Sequence, residues 1–91
     1  MTSALPKPSL LVMREPEATG DALFVEGDYA GAVTAYSAAI EAGGDISRAL
    51  AHRSAAQGEL ARYEAALEDA DNALELDSGN ALAQLRKGIA A

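Results

Sequence analysis

The chain has 91 residues, a formal net charge of −7 from seven basic and fourteen acidic residues, and no cysteine. Binders of nucleic acid or anionic membranes need clustered lysine and arginine, so the acidic charge balance excludes nucleic acids and membranes as expected partners. The absence of cysteine excludes a disulfide framework and a thiolate zinc site. Since apolar residues make up 49% and aromatic residues only 4%, a single small domain must build its core largely from alanine and leucine.

Residues 1–14 differ from the rest because they hold two prolines and few helix formers. We predict a flexible N-terminal arm here; the alternative is an arm whose Leu10, Leu11 and Met13 pack on the domain or on a neighbouring molecule. Its apolar patch is too short for a signal peptide, and no apolar run in the chain approaches the length of a membrane span. We therefore expect a cytoplasmic protein, with the nucleus as a second compartment.

Good helix formers dominate the remainder of the chain, and turn residues interrupt them at regular places. Glycine and aspartate at 27–28 and 43–45, a tight turn at 61–62 and the string SGN at 78–80 mark the ends of helices. Asp45 or Ser47 can cap the third helix and Asn80 the fifth. The predicted helices cover about 15–26, 30–42, 47–60, 63–76 and 81–91.

The same residues recur at a fixed offset in this helical region. Tyr29 and Ala32 are matched by Tyr63 and Ala66, 34 residues later. Further pairs at this offset are Val33 and Leu67, Ala39 and Ala73, Ile40 and Leu74, and Glu41 and Glu75. A fixed period of this length with two helices per unit indicates a helix–turn–helix repeat. Each tyrosine is expected to pack where the two helices of a unit meet, and each alanine where the paired helix passes close.

Two strings carry the resemblance to a known family. GDYAGAVTAYSAAIEA at 27–42 and RYEAALEDADNALELD at 62–77 are similar to the second half of a tetratricopeptide repeat, or TPR. The resemblance implies an all-α fold in which antiparallel helix–turn–helix repeats form a short right-handed solenoid. It places TPR motif 1 at 15–46, TPR motif 2 at 47–80, and a capping helix or the start of a third TPR at 81–91. The implied repeat-core residues are Tyr29, Ala32, Tyr36, Ala39, Tyr63, Ala66, Ala70 and Ala73.

Because TPR arrays generally need about three units to be stable, we expect either that the chain is a fragment of a longer protein or that subunits complete each other.

A further string, near the end of the sequence, resembles the TPR domains of co-chaperones. The string LRKGIA at 85–90 resembles the opening of their third repeat, most of all in the Sgt-type co-chaperones that carry a CS domain. Many of these domains grip the acidic carboxyl-terminal tail of a chaperone with a clamp of lysine, asparagine and arginine. Mapped onto this sequence, the clamp positions hold Glu17, Asp21, His52, Leu82 and Arg86, of which only Arg86 matches. The resemblance therefore implies the TPR scaffold, whereas the residues at the four departing clamp positions argue against the usual chaperone-tail ligand.

The first helix of each repeat lines a concave groove in TPR arrays, so partner-binding residues are expected there. The candidate groove residues are Glu17, Asp21, Arg48, His52 and Arg86. Arg48, His52 and Arg86 form either a small positive strip for an acidic peptide or isolated solvated charges. His52 is either a packed imidazole or a peptide contact that responds to pH. The acidic stripe Glu64, Glu68, Asp71 and Glu75, thickened by Asp69 and Asp77, is interpreted as a solvated face.

We expect a protein–protein interaction module, an adaptor or co-chaperone domain that binds a peptide or a partner protein. The resemblance implies partners such as a chaperone, a client protein or a ubiquitin-ligase component. The alternative is a structural domain that forms a homodimer and holds no peptide; a further possibility is a basic partner on the acidic outer face. We expect no cofactor, no metal and no enzymatic activity, since the sequence contains no nucleophile–base pair, glycine-rich phosphate loop or metal-ligand cluster.

Overall fold

The computed structural model describes residues 15–90, with side chains described as far as residue 88. Five helices fill this stretch and no strand occurs in it: α1 (Pro16–Glu26), α2 (Tyr29–Ala42), α3 (Ile46–Glu59), α4 (Tyr63–Leu76) and α5 (Ala81–Ala90). The arm predicted over residues 1–14 lies outside the described residues. No helix of this stretch is both long and apolar enough to cross a membrane.

Capping side chains fix where three of the helices begin. Asp28 accepts a hydrogen bond from the Gly31 amide at 2.9 Å, and Asp45 accepts one from the Arg48 amide at 3.1 Å. Asn80 accepts from the amide at position 83, three residues into α5, at 3.0 Å. Each bond satisfies one of the amide groups that the first turn of a helix leaves without a partner. The sequence offered Asp45 or Ser47 as the cap of α3, and the structure selects Asp45.

The helices pack in sequence as antiparallel neighbours. α1 packs on α2, α2 on α3, and α3 on α4, while α5 lies against both α3 and α4. Ser47 donates to the Ala73 carbonyl at 2.9 Å and Ser54 donates to the Ala66 carbonyl at 2.6 Å. The numbers rise along α3 as they fall along α4, so these two helices run in opposite directions. Both serines are buried, and their short side chains reach the carbonyls because the two helices pass close together.

Small residues form most of the buried surface between the helices. Six of the predicted repeat-core residues are buried, namely Ala32, Tyr36, Ala39, Ala66, Ala70 and Ala73. Tyr36 is the largest fully buried side chain among the described residues, and it packs against Gly20 of α1. A Cβ on Gly20 would lie only 2.5 Å from the Tyr36 ring, so α1 approaches α2 at a distance that glycine permits.

Tyr63 does not lie in the core as the repeat predicts, because 54% of the residue is exposed. Its counterpart Tyr29 is half-buried and contacts Phe24 edge to face, with ring centroids 5.1 Å apart. The residue 34 positions after Phe24 is Gly58, which has no side chain to offer Tyr63. The tyrosine is repeated in the second unit, but the aromatic residue that would cover it is not.

One acidic residue of the predicted solvated face is buried. Asp69 accepts two hydrogen bonds from the Arg53 guanidinium, at 2.6 Å from Nε and 2.8 Å from Nη2. The same guanidinium donates to the Ser37 hydroxyl at 3.0 Å, so it joins α2, α3 and α4. This bond to Asp69 raises the pKa of Arg53, against the effect of its partial burial. The expectation that Asp69 belongs to the solvated face was therefore wrong, since it has a bidentate partner on α3.

Candidate functional site

A groove runs across the face formed by α1, α3 and α5. It contains a cavity of about 300 Å³. Most of the lining comes from these three helices, and Tyr36 of α2 forms part of the wall; the lining residues are Asp21, Phe24, Val25, Tyr36, His52, Ala55, Leu82 and Arg86. A neighbouring depression is lined by residues of α1, the end of α2 and Arg48. The five candidate groove residues all line one of these two depressions.

In the neighbouring depression, an acid on α1 neutralises the arginine on α3. The Arg48 guanidinium donates to both Glu17 carboxylate oxygens, at 2.6 Å from Nε and 3.2 Å from Nη2. The bond to Glu17 raises the pKa of Arg48, whose side chain is exposed. Glu17 occupies the Nε/Nη2 edge of this guanidinium and offsets its positive charge, which weakens its attraction for an acidic peptide. Arg48 is therefore not a free cation of a positive strip.

Asp21 connects α1 to the buried tyrosine of α2. Its Oδ1 atom accepts a hydrogen bond from the Tyr36 hydroxyl at 2.6 Å, while 54% of the Asp21 side chain stays exposed. Burial, followed by the hydrogen bond to Asp21, raises the pKa of Tyr36 far above its usual range. The tyrosine therefore stays a neutral donor, and it holds the carboxylate in place at the wall of the cavity.

His52 lies between the two acids and against the ring of Tyr36. Its Nδ1 atom is 3.5 Å from an oxygen of Glu17 and 3.5 Å from an oxygen of Asp21, and it makes no hydrogen bond to either. The ring centroids of His52 and Tyr36 are 5.4 Å apart. The imidazole thus faces the two carboxylates of α1.

Arg86 faces the same cavity from α5. No carboxylate of residues 15–88 lies within ion-pair distance of its guanidinium, and its buried Nε atom has no hydrogen-bond partner among the described residues. Buried hydrogen-bond donors in proteins almost always have an acceptor, so a buried N–H group without one at the wall of a cavity is unusual. The groove therefore presents a carboxylate on α1, a cation on α5 that no acid of residues 15–88 pairs with, and an apolar surface between them.

The sequence pattern located the charged residues of the groove but missed other residues that line it. Tyr36 was assigned only to the repeat core, although its hydroxyl also positions Asp21. Phe24 and Val25 had no assigned role, yet both line the cavity, and Val25 is 85% exposed. An apolar residue one turn after Asp21 on the same helix was the available signal. No group of three or more histidine, cysteine or acidic side chains within residues 15–88 could hold a metal ion.

Comparisons with known proteins find relatives in sequence and in structure. No model of a known protein family matches the chain. Sperm-associated antigen 1 of Mus musculus is 42% identical over 81 residues, which is 87% of this chain and 8% of that protein. Protein SGT1 homolog of Oryza sativa subsp. japonica is 39% identical over 74 residues, 81% of this chain and 20% of that protein. The chain thus spans a small part of the length of either relative.

A solved structure shares the helical architecture over most of this chain. The TPR2B domain in the pHsp70 complex of yeast Sti1 matches 88% of this chain with a TM-score of 0.81 and 29% identity, and the match covers 64% of that chain. This similarity confirms the all-α repeat fold that the 34-residue offset predicted. The repeat, the helix packing and both kinds of similarity show that the chain is a tetratricopeptide-repeat domain similar to those of co-chaperones.

Proposed function

We propose that this domain is an adaptor that holds an extended segment of a partner protein in the groove between α1, α3 and α5. The cavity carries the proposal, because it joins an apolar surface to a few charged groups on a concave face. The Sti1 domain to which the chain is similar has been solved in a complex with pHsp70, which supports a partner of chaperone type. Protein–protein interaction is the shared role of this class of domain.

The charges of the groove weigh against a doubly anionic chaperone tail as the ligand. Glu17 and Asp21 occupy positions where the clamp of related domains has a lysine and an asparagine. Arg48 is engaged by Glu17, so it offers little attraction to an incoming carboxylate. Arg86 is the one groove cation without an acidic partner among the described residues. We propose that the scaffold is retained while most of the clamp is lost.

A clamp graft tests whether the groove holds peptides. The variant Glu17→Lys, Asp21→Asn, His52→Asn and Leu82→Lys restores the four departing clamp positions beside Arg86. Calorimetry with a peptide that ends in an acidic chaperone tail is expected to show at least about tenfold tighter binding for the graft than for the unchanged chain. Adding Arg86→Ala to the graft is the control and should remove most of the gain. If the graft binds no better than the unchanged chain, the groove does not hold peptides in this way.

Self-association is the second candidate, and exposed leucines favour it. Leu76 at the end of α4 and Leu85 on α5 are more than half exposed, and α5 packs only on α3 and α4 among the described helices. Exposed apolar surface of this kind is found at contacts between subunits. A molar mass that rises with concentration in light scattering, and returns to the monomer value in Leu85→Ser, would support this alternative. A constant monomer mass would exclude it over the concentrations measured.

A further inference from the structure

We infer that the groove selects a bipolar segment of its partner: an apolar side chain enters the cavity, a cationic side chain lies against Asp21, and a carboxylate lies against Arg86. This inference rests on the proposed function and specifies the chemistry of the partner. It differs from an acidic tail, which would bring only negative charge to the groove. The carboxylate on α1, the apolar surface and the cation on α5 each support one part of it.

The α1 side of the cavity offers an acceptor for a cation. Tyr36 occupies only Oδ1 of Asp21, and the carboxylate remains more than half exposed. Because the tyrosine is itself buried and fixed, the carboxylate is held in position before a ligand arrives. Glu17, one turn earlier on α1, adds negative charge to this side but is bound to Arg48. A lysine or arginine of the partner would therefore meet Asp21 first.

The α5 side of the cavity offers an anion site. Arg86 has no acidic partner within residues 15–88, and its Nε–H is unsatisfied. Lys87, the next residue, is paired with Asp71 of α4 at 2.9 Å and so does not compete for the same ligand group. Guanidinium groups bind carboxylates at two points when the geometry allows it. A glutamate or aspartate of the partner would satisfy the charge that α5 leaves unpaired.

The apolar surface between these charges fits one medium-sized side chain. Phe24, Val25, Ala55 and Leu82 contribute it, and the cavity of about 300 Å³ is at the lower end of the size of ligand pockets. Val25 is 85% exposed, so a ligand side chain would cover surface that the described residues leave in water. Burial of this surface supplies affinity, and the two charges determine which segment binds and in which orientation.

Synthetic peptides test the charge preference directly. The probes are short peptides with blocked termini and one central leucine, flanked by lysine then glutamate, glutamate then lysine, two lysines, or two glutamates. They are titrated into the full ¹⁵N-labelled chain, and binding is followed by amide shifts at Phe24, Ala55 and Leu82. One of the two bipolar peptides is expected to bind about fivefold more tightly than either single-sign peptide.

Two variants that each remove one charge assign each preference to its residue. Asp21→Asn keeps an acceptor for Tyr36 and is expected to remove the preference for lysine while the preference for glutamate persists. Arg86→Gln is expected to do the converse. Glu75→Gln, an exposed change on α4 that lies outside the cavity lining, is the matched control and should alter neither preference.

The outcomes separate this inference from the proposed function. If the bipolar peptides bind no better than the single-sign peptides, or if both variants leave the preferences unchanged, the inference is overturned. If no probe shifts the cavity amides while the clamp graft binds its tail peptide, the groove is a peptide site but does not select a bipolar segment. If the clamp graft also fails to bind its tail peptide, the proposed function itself is wrong.

Discussion

Ala61, in the turn between α3 and α4, has a left-handed backbone conformation with a φ of 62°. The amide of Ala61 donates to the Gly58 carbonyl and that of Arg62 to the Gln57 carbonyl, which is the Schellman arrangement of hydrogen bonds. The turn after α1 has the same two bonds, with Gly27 at a φ of 89° in the position 34 residues earlier. The first repeat uses glycine where the second strains an alanine.

We therefore predict that Ala61→Gly stabilises the domain. The relief of left-handed strain, about 1–2 kcal/mol, exceeds the cost of glycine in the unfolded chain, so a net gain of about 0.5–1 kcal/mol is expected. Denaturant unfolding followed by circular dichroism gives the free energy of unfolding. The reciprocal change Gly27→Ala should cost about 1 kcal/mol or more. A loss of stability in Ala61→Gly would show that this turn is not strained.

A second prediction concerns Gly20, where glycine serves packing instead of turn geometry. Gly20→Ala would place a Cβ 2.5 Å from the ring of Tyr36, which is fully buried and cannot move freely. The expected loss is about 1–3 kcal/mol despite the better helix propensity of alanine. Gly58→Ala in α3 is the matched control, because nothing lies within 4 Å of its added Cβ, and a gain of up to about 1 kcal/mol is expected. Equal effects at both sites would contradict the packing argument.

At the scale of the helices, the Arg53–Asp69 pair explains how α3 and α4 are fixed to α2. Ser54 and Ser47 hold α3 to α4, and among the described residues Arg53 reaches from this pair of helices to the Ser37 hydroxyl of α2. Asp69 is nearly inaccessible to solvent, so its charge depends on the guanidinium for compensation. A polar bridge of this kind restricts how the first helix pair packs on the second.

We predict that Asp69→Ala destabilises the domain by about 2–4 kcal/mol, because it leaves the largely buried Arg53 guanidinium without its bidentate partner. Asp71→Ala serves as the control, since it removes an acid from the same helix whose pair with Lys87 is exposed; a change within about 0.5 kcal/mol is expected there. Chemical denaturation of both variants measures the difference. Similar losses in the two variants would mean that burial of Asp69 adds nothing to the strength of its pair.

The helices were predictable because their signals are local. Aspartate or asparagine caps, glycines after helices and alanine stripes lie within a few residues of what they determine, and the helix bounds agree with the prediction to within about two residues. The exposure of Tyr63 depends on Gly58, which could have been found by comparing all positions at the 34-residue offset. The burial of Asp69 depends on Arg53, sixteen residues away on another helix, and no periodicity of a single helix shows that contact.

For the whole molecule, the sequence predicted which face holds the groove but not which of its charged side chains pair with one another. The repeat places the first helix of each unit on one face, and this face does hold all five candidate groove residues. Their pairings follow from side-chain geometry that the repeat does not specify. Glu17 binds Arg48, whereas Arg86 has no acidic partner within the described residues. The charge of the groove therefore depends on contacts between helices that the repeat pattern does not specify.

The linear stacking of helices also predicts how the molecule opens. Among the five described helices, α3 packs on α1, α2, α4 and α5, whereas α5 packs on α3 and α4 alone. Elements with few buried contacts open locally at a lower free energy than the global unfolding reaction. We predict that the backbone amides of α3 exchange with solvent only through global unfolding, while those of α5 exchange through a smaller opening.

Native-state hydrogen exchange in rising denaturant, read residue by residue, measures both free energies. For α3 the opening free energy should equal the global value and fall with the full denaturant slope. For α5 it should be lower, with a smaller slope, because less surface is exposed when that helix alone detaches. Since Leu82 and Arg86 reach the groove from α5, a ligand that contacts them should raise the α5 value more than the α3 value at partial occupancy. Uniform protection across the five helices would show instead that the domain opens as one unit.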